Sequence, residues 1–302
     1  MERFIFNFRG QRKWAWLGLL LAALPLAELA RAAEPTPTAE DLLEKRLAAI
    51  EAKVGGRLGV AALATGSGQR IAYRADEHFP MCSTFKMLAV AAVLHRVDQK
   101  QEQLDRFIPY SAADLLEYAP VTRKHVAEGG MKLSALCAAA ISLSDNTAAN
   151  LLLKTIGGPE GLTRFARTLG DQQTRLDRME PDLNNFTVGD ERDTTTPAAM
   201  LGNLRALLLK DKLSPASRNQ LENWMVENKT GDNLIRAGLP KDWRVGDKTG
   251  RGGLGAIGDI AIIRPPGKQP ILLVVYEVGS IAPMETRAEG IASVARLVAE
   301  TL

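Results

Sequence analysis

Ser83 and Lys86 stand three residues apart at the head of a run, Phe85–Leu94, that is otherwise apolar on every side. On a helix that spacing puts both side chains on one face, about 5–6 Å apart at Cβ. A serine at a helix start meets free backbone N–H groups and the positive end of the dipole, which favour developing negative charge. A lysine beside it can accept or share the hydroxyl proton, which makes an activated nucleophile. The letters alone are a weak signal. Average composition gives roughly one Ser-x-x-Lys in a chain this long, and a capping serine with an unrelated lysine would look the same. Two features add weight. No other Ser-x-x-Lys occurs here, and a lysine inside an apolar helix needs a partner or a purpose.

Three more stretches could join this pair. Ser144-Asp145-Asn146 interrupts two apolar helical runs where the chain must turn. These are also the preferred N-cap residues, so plain capping would give the same letters. Lys248-Thr249-Gly250 closes a strand, where a turn glycine after an edge strand is equally ordinary. Glu180 and Asn184 lie in a stretch, Arg178-Met179-Glu180-Pro181-Asp182-Leu183-Asn184, without clear periodicity. Together they could hold one water, with the carboxylate as general base. Most glutamates in such a loop are simply solvated. Pro181 argues against a casual loop, because Glu-Pro in a tight turn is the kind of bond that can be cis.

The elements that would hold these groups can be read in order. Thr38 is a candidate N-cap for a helix to Lys53, ended by Gly55-Gly56. Arg57–Ala64 and Arg70–Arg74, joined by Thr65-Gly66-Ser67-Gly68, read as a hairpin. From Pro80 to Glu227 the pattern is helical, with helices over Lys132–Leu143, Ala148–Ile156 (stopped by Gly157-Gly158), Pro197–Leu209 and Ser214–Met225. Residues 175–196 form a long loop, which inside a compact domain is usually functional. Trp243–Lys248, Ile257–Arg264 and Ile271–Val278 read as strands, and a last helix covers Pro283–Glu300. This predicts an α/β part built from both chain ends (34–79 and 228–302) and an all-helical part, 80–227, inserted between them.

The 302 residues are 46% hydrophobic and 24% charged, enough for a sizeable core. Arg9, Arg12 and Lys13, the apolar run Trp14–Leu26 and Ala30-Arg31-Ala32 have the layout of a secretory leader, placed at 1–33. A membrane anchor is the competing reading, but the run is short for a bilayer. The whole chain carries a net charge of +3. All of that excess lies in the leader, so the mature chain is neutral and no nucleic-acid or membrane partner is indicated. Export to the periplasm, or secretion, and a monomer are the expectations. His78, His95 and His125 are scattered, so no metal cluster is expected.

The three motifs in this order are the known set of class A β-lactamases and penicillin-binding proteins. By average composition each tripeptide is expected well under once in ten such chains. The chain resembles class A serine β-lactamases from about residue 38 to 300. Glu117–Thr122, Thr147–Leu152 and Asp190–Thr195 carry the resemblance between the motifs. It implies a two-domain fold in which helices flank a five-stranded antiparallel sheet beside an all-α domain. It implies hydrolysis of penicillins and cephalosporins, hence resistance to them, with no cofactor. The β-lactam is the only partner it implies. Ser83 would be the nucleophile, Lys86 its proton partner, and Ser144 the relay to the departing nitrogen; the resemblance leaves both Lys86 and Glu180 as the base for acylation. Glu180 with Asn184 would activate the deacylating water. Lys248 and Thr249, beside Gly250, would bind the substrate carboxylate, and Asn146 would also line the substrate site. The oxyanion hole would be the N–H groups of Ser83 and Arg251. Asn150 would hold Glu180, Arg178 would pair with Asp193, and Tyr118 would line the entrance.

The chain departs from the family in two places. Many members carry an arginine about nine residues after the Lys-Thr-Gly lysine, where this chain has Ile257. Arg251 is a candidate to replace it, by bidentate pairing with the substrate carboxylate. Cys137 stands where some members have half of a disulfide, but Val90 takes the partner's place. Cys82 has no cysteine near Gly252, so two free thiols are expected. A D,D-peptidase or penicillin-binding protein is the alternative: it would share the three motifs without the deacylating pair. A sensor that acylates and signals is the third reading. It would need a membrane span and a partner domain, and neither is visible.

Overall fold

The computed structural model describes residues 38–302. The leader expected over 1–33 lies outside them. Helix α1 (Ala39–Val54) carries Glu40 and Asp41 in its first turn, facing the positive end of its dipole. It stops at Gly55, whose φ of +69° suits glycine. Strands β1 (Arg57–Ala64) and β2 (Arg70–Tyr73) form the hairpin the turn residues predict. A short strand β3 (Phe79–Pro80) leads through a 3₁₀ turn, Cys82–Thr84, into α2 (Phe85–Asp98). Helix α2 is buried from Phe85 to Leu94, as an all-round apolar sequence requires.

A small hairpin, β4 (Phe107–Pro109) with β5 (Gly130–Lys132), precedes α3 (Leu133–Ser142) and α4 (Asn146–Thr155). Helix α5 (Gly158–Thr168) is not anticipated by the sequence, where Gly157-Gly158 reads only as a stop. Gly157 does break the chain, at φ +89°. The next helix starts at once because Pro159 sits in its first turn, where a missing N–H is no loss. The stretch 175–196 is irregular apart from a 3₁₀ turn, Asp182–Asn184, and strand β6 (Thr194–Thr195), which pairs with β3. Helices α6 (Pro197–Leu209) and α7 (Pro215–Val226) are capped by the Thr196 and Ser214 hydroxyls.

Strands β7 (Arg244–Arg251), β8 (Ile257–Arg264) and β9 (Ile271–Val278) complete one five-stranded sheet, and α8 (Met284–Thr301) ends the chain. The sheet order is β2-β1-β9-β8-β7, with every pair antiparallel. Both chain ends thus build one sheet. Both its faces are covered, so β9 is buried along its whole length. The period-2 alternation of the strand then splits it. Leu272, Val274 and Tyr276 join an apolar cluster with helices α2–α7. Ile271, Leu273 and Val275 join a second cluster with α1 and α8. Ala39–Leu302 form one compact unit. Strand β7 lies at the open edge of the sheet, beside the Ser83 turn.

Candidate active site

The Ser83 turn is held from behind. The Thr84 hydroxyl bonds the Met81 carbonyl at 2.7 Å and the Tyr276 hydroxyl on β9 at 2.9 Å. Cys82, just before Ser83, is forced to φ +44°, a conformation costing a non-glycine residue about 1–3 kcal/mol. Strand β7 presses against this turn. A Cβ at Gly250 would lie 2.7 Å from the Met81 oxygen and 3.2 Å from the Ser83 nitrogen. The motif glycine is therefore a matter of close backbone approach.

Lys86 has the partners its burial demands. Its Nζ donates to the Ser144 carbonyl at 2.8 Å, Asn146 Oδ1 at 2.6 Å and Ser144 Oγ at 3.3 Å. It also pairs with Glu180 Oε1 at 2.9 Å. That same oxygen accepts the Ser83 hydroxyl at 3.2 Å. Serine and lysine thus meet at one carboxylate oxygen. Asn184 Nδ2 donates to the other oxygen, Oε2, at 2.6 Å. Asn150 clamps the Glu180 backbone, donating to its carbonyl at 2.9 Å and accepting from its N–H at 3.0 Å. The Glu180-Pro181 bond is cis.

Ser144-Asp145-Asn146 divides its labour between a helix cap and the surroundings of Lys86. Asp145 is the cap: it accepts the Ala148 N–H at 2.9 Å, and those of Val121 and Thr122 at 2.9 Å each. Ser144, at φ +58°, and Asn146 turn toward Lys86. Lys248 Nζ donates to Ser144 Oγ at 3.1 Å and to the Thr249 carbonyl at 2.8 Å. Ser144 Oγ therefore sits between the Nζ atoms of two lysines. With both lone pairs facing donors, its proton is left for a third group.

Arg178 and Asp193 join the two ends of the long loop. Their Nε–Oδ2 distance is 2.6 Å, and Asp193 Oδ1 also accepts the N–H groups of Asp177 and Arg178 at 2.8 and 2.9 Å. A cleft of roughly 290 Å³ opens in front. It is lined by Ser83, Tyr118, Ser144, Asn146, Asn184, Thr249, Gly250 and Arg251 from the sequence reading, and by Thr230 in addition. Glu180, Lys86 and Lys248 lie beneath its surface. Burial lowers the pKa of Lys86 against the pull of Glu180. Burial, then the Lys86 charge, pushes Lys248 down to about 7. Lys248 beneath the floor and the Thr249 hydroxyl in the lining are donors the cleft can offer an anion.

Thr230 escaped the sequence reading, although a signal was present. Lys229-Thr230-Gly231 repeats the tripeptide of Lys248-Thr249-Gly250, and the two threonine hydroxyls meet at 2.5 Å. Both cysteines are free and buried. A Cβ at Gly252 would lie 2.6 Å from Cys82 Sγ, so the thiol occupies the space a side chain there would need. Burial pushes the Cys82 thiol up to about 12, which leaves it inert as a nucleophile.

A sequence profile described as the β-lactamase enzyme family matches residues 42–302. The chain belongs to this family. It is 49% identical to β-lactamase AST-1 of Nocardia asteroides over 88% of this chain and 85% of that one. It is 45% identical to β-lactamase OXY-2 of Klebsiella oxytoca over 96% and 98%. Among solved structures, an ancestral Gram-negative class A β-lactamase superposes with a TM-score of 0.85 at 61% identity, covering 86% of this chain and all of the other. PenP of Rhodopseudomonas palustris, described as a putative class A β-lactamase, gives 0.85 at 54% identity, over 87% and 100%. The fold, with its five-stranded antiparallel sheet, is that of class A β-lactamases.

Proposed function

We propose that this β-lactamase hydrolyses penicillins and cephalosporins through an acyl-enzyme on Ser83, and thereby confers resistance to them. The observation that carries the reading is the double use of Glu180 Oε1, which faces the Ser83 hydroxyl at 3.2 Å and Lys86 at 2.9 Å. Ser83 Oγ attacks the lactam carbonyl as its proton passes to Glu180. Backbone N–H groups of Ser83 and Arg251 receive the charge on the carbonyl oxygen. The C–N bond breaks, and the nitrogen takes the Ser144 proton. Lys86 touches both Ser144 and Glu180, so it returns a proton to Ser144 and regains one from Glu180. Glu180, with Asn184, then takes a proton from water, which attacks the ester. The ester C–O bond breaks and Ser83 recovers its proton. Lys248 and Thr249 hold the substrate carboxylate, with Arg251 at the rim beside them. Asn146 and Tyr118 border the acyl side.

A D,D-peptidase would lack Glu180 and Asn184 in these positions, and β-lactams would stay attached to it. Steady-state hydrolysis of benzylpenicillin and a chromogenic cephalosporin separates the two. Sustained turnover is the expected result, and a one-equivalent burst without turnover overturns it. The protein is also read as an exported, periplasmic monomer, on the charged and apolar pattern of residues 9–32. Among the described residues no helix is long and apolar enough to cross a membrane. Native mass spectrometry of the periplasmic fraction checks both points. A dimer mass, or a chain still starting at Met1, contradicts them.

A further inference from the structure

The Thr249 hydroxyl is the end of a hydrogen-bonded line that runs from the cleft into the interior. Thr249 Oγ1 and Thr230 Oγ1 are 2.5 Å apart. The Thr230 hydroxyl reaches Asn228 Oδ1 at 2.8 Å, and the Thr230 N–H donates to the same oxygen at 3.1 Å. Asn228 Nδ2 donates to Asp247 Oδ2 at 2.5 Å. Arg236 Nε donates to Asp247 Oδ1 at 2.6 Å, and Arg236 is itself fixed on the Met225 and Val226 carbonyls. Asn228 and Asp247 are buried, and a Cβ at Gly231 would lie 2.0 Å from Asp247 Oδ2. The inner half of the line is therefore rigid.

Counting protons gives the line a direction. A backbone N–H only donates, so the Thr230 N–H fixes the Asn228 amide with its oxygen toward Thr230 and its nitrogen inward, on Asp247. That oxygen can only accept. Each threonine has one hydroxyl proton. At rest Thr230 gives its proton to Asn228, and Thr249 gives its proton to Thr230. When an anion in the cleft takes the Thr249 proton, Thr230 can turn its own outward to Thr249 Oγ1. Asn228 Oδ1 keeps the Thr230 N–H throughout, so no buried group is left unsatisfied. Chained donors polarise one another, which strengthens the outermost bond.

We propose that Thr230 is a positioning residue for the substrate carboxylate: its hydroxyl reverses to donate to Thr249, with the Asn228 amide as the fixed inner end. This rests on the reading of Thr249 as a carboxylate donor, so the test separates the two. Kinetics of benzylpenicillin and of its methyl ester are measured for the wild type, Thr230→Val, Thr230→Ser, Thr249→Val and the double variant Thr230→Val/Thr249→Val. Thr230→Val is expected to raise KM for the acid about 3- to 10-fold, the loss of one hydrogen bond, and to leave the ester unaffected. Thr230→Ser restores the wild-type value. In the Thr249→Val background, Thr230→Val adds nothing, because it acts only through Thr249. An unchanged KM, an equal effect on acid and ester, or additive effects in the double variant overturns the relay. If Thr249→Val itself leaves the acid unaffected, the carboxylate site is misassigned and the relay falls with it.

Discussion

Glu180 and Glu277 are two glutamates buried almost equally, 3% and 1% exposed, with opposite surroundings. Glu180 receives Ser83, Lys86 and Asn184 on its oxygens, and Asn150 grips its backbone. Glu277, on β9 where α1 and α8 cross the sheet, finds no hydrogen-bond partner among the described residues for either oxygen. Burial pushes its pKa up to about 7, and the Arg287 charge and the Ser280 hydroxyl do not offset this. A buried charge costs little where donors converge on it and a great deal where they do not. The loop and helices around the cleft supply donors for a carboxylate. At Glu277 the far face of the sheet supplies packing, with only the Arg287 charge and the Ser280 hydroxyl set against it.

The same conservative change at both positions breaks this comparison most sharply. Glu180→Gln keeps the shape but removes the base. We expect kcat for benzylpenicillin to fall by about 10²–10⁴-fold, the range for a general base. An acyl adduct accumulating in the mass spectrum would show that Lys86 can take the Ser83 proton in its place, whereas slow acylation with no adduct is the result expected if Glu180 is the base for both steps. Turnover within about tenfold of wild type would mean that another group activates the water.

Glu277→Gln should leave kcat alone and act on stability. The folded carboxyl titrates near 7, against its usual 4.5. Between those values the folded state keeps a proton that the unfolded state has lost, so stability falls as pH rises from about 4.5 to about 7, and stays low above. Glutamine removes the charge that causes this. At pH 8 the variant should be more stable by about 1–3 kcal/mol, the cost of an unpaired buried polar group. At about pH 4.5 the two proteins should melt together. Calorimetry at the two pH values checks this, and an equal gain at both would assign the effect to packing.

The same contrast explains what could be read in the sequence. Strands β8 and β9 were legible to the residue, because burial on both faces writes an unbroken apolar run. Lys86 was legible because a lone charge in such a run has to be used. Strand β7 runs three residues further than its sequence suggests: Gly250 and Arg251 resemble a turn, yet they stay in the ladder opposite Gly258 and Ile257. Helix α5 was hidden by the glycines at its start. Thr230 and Asn228 were hidden for another reason. Their meaning comes from Thr249 and Asp247, each nineteen residues away in sequence; the repeated Lys-Thr-Gly marks Thr230 without saying what it meets, and nothing local marks Asn228. Glu277 was equally silent, since a single glutamate in an apolar strand does not tell which way it faces or what meets it.

Arg251 is the last and weakest limb of the comparison, a charge that is not buried at all. It ends β7 with its side chain exposed at the cleft. Its ladder neighbour, Ile257, is 2% exposed and packed in the cluster under α8, so that position supplies no charge. An exposed ion pair contributes about 0.2–1 kcal/mol, so Arg251→Ala should raise the KM for benzylpenicillin by up to about 5-fold. Because the pair is solvated, the ratio should shrink toward one as salt rises to about 0.5 M. The effect of Thr249→Val, a nearly buried group, should persist at that salt. Arg251→Lys keeps the charge and loses the planar fork, so partial rescue would indicate simple attraction, and no rescue a two-pronged contact. If Arg251→Ala changes neither KM nor kcat/KM at low salt, the arginine is an ordinary solvated side chain. Carboxylate recognition would then belong wholly to the buried line behind Lys248 and Thr249.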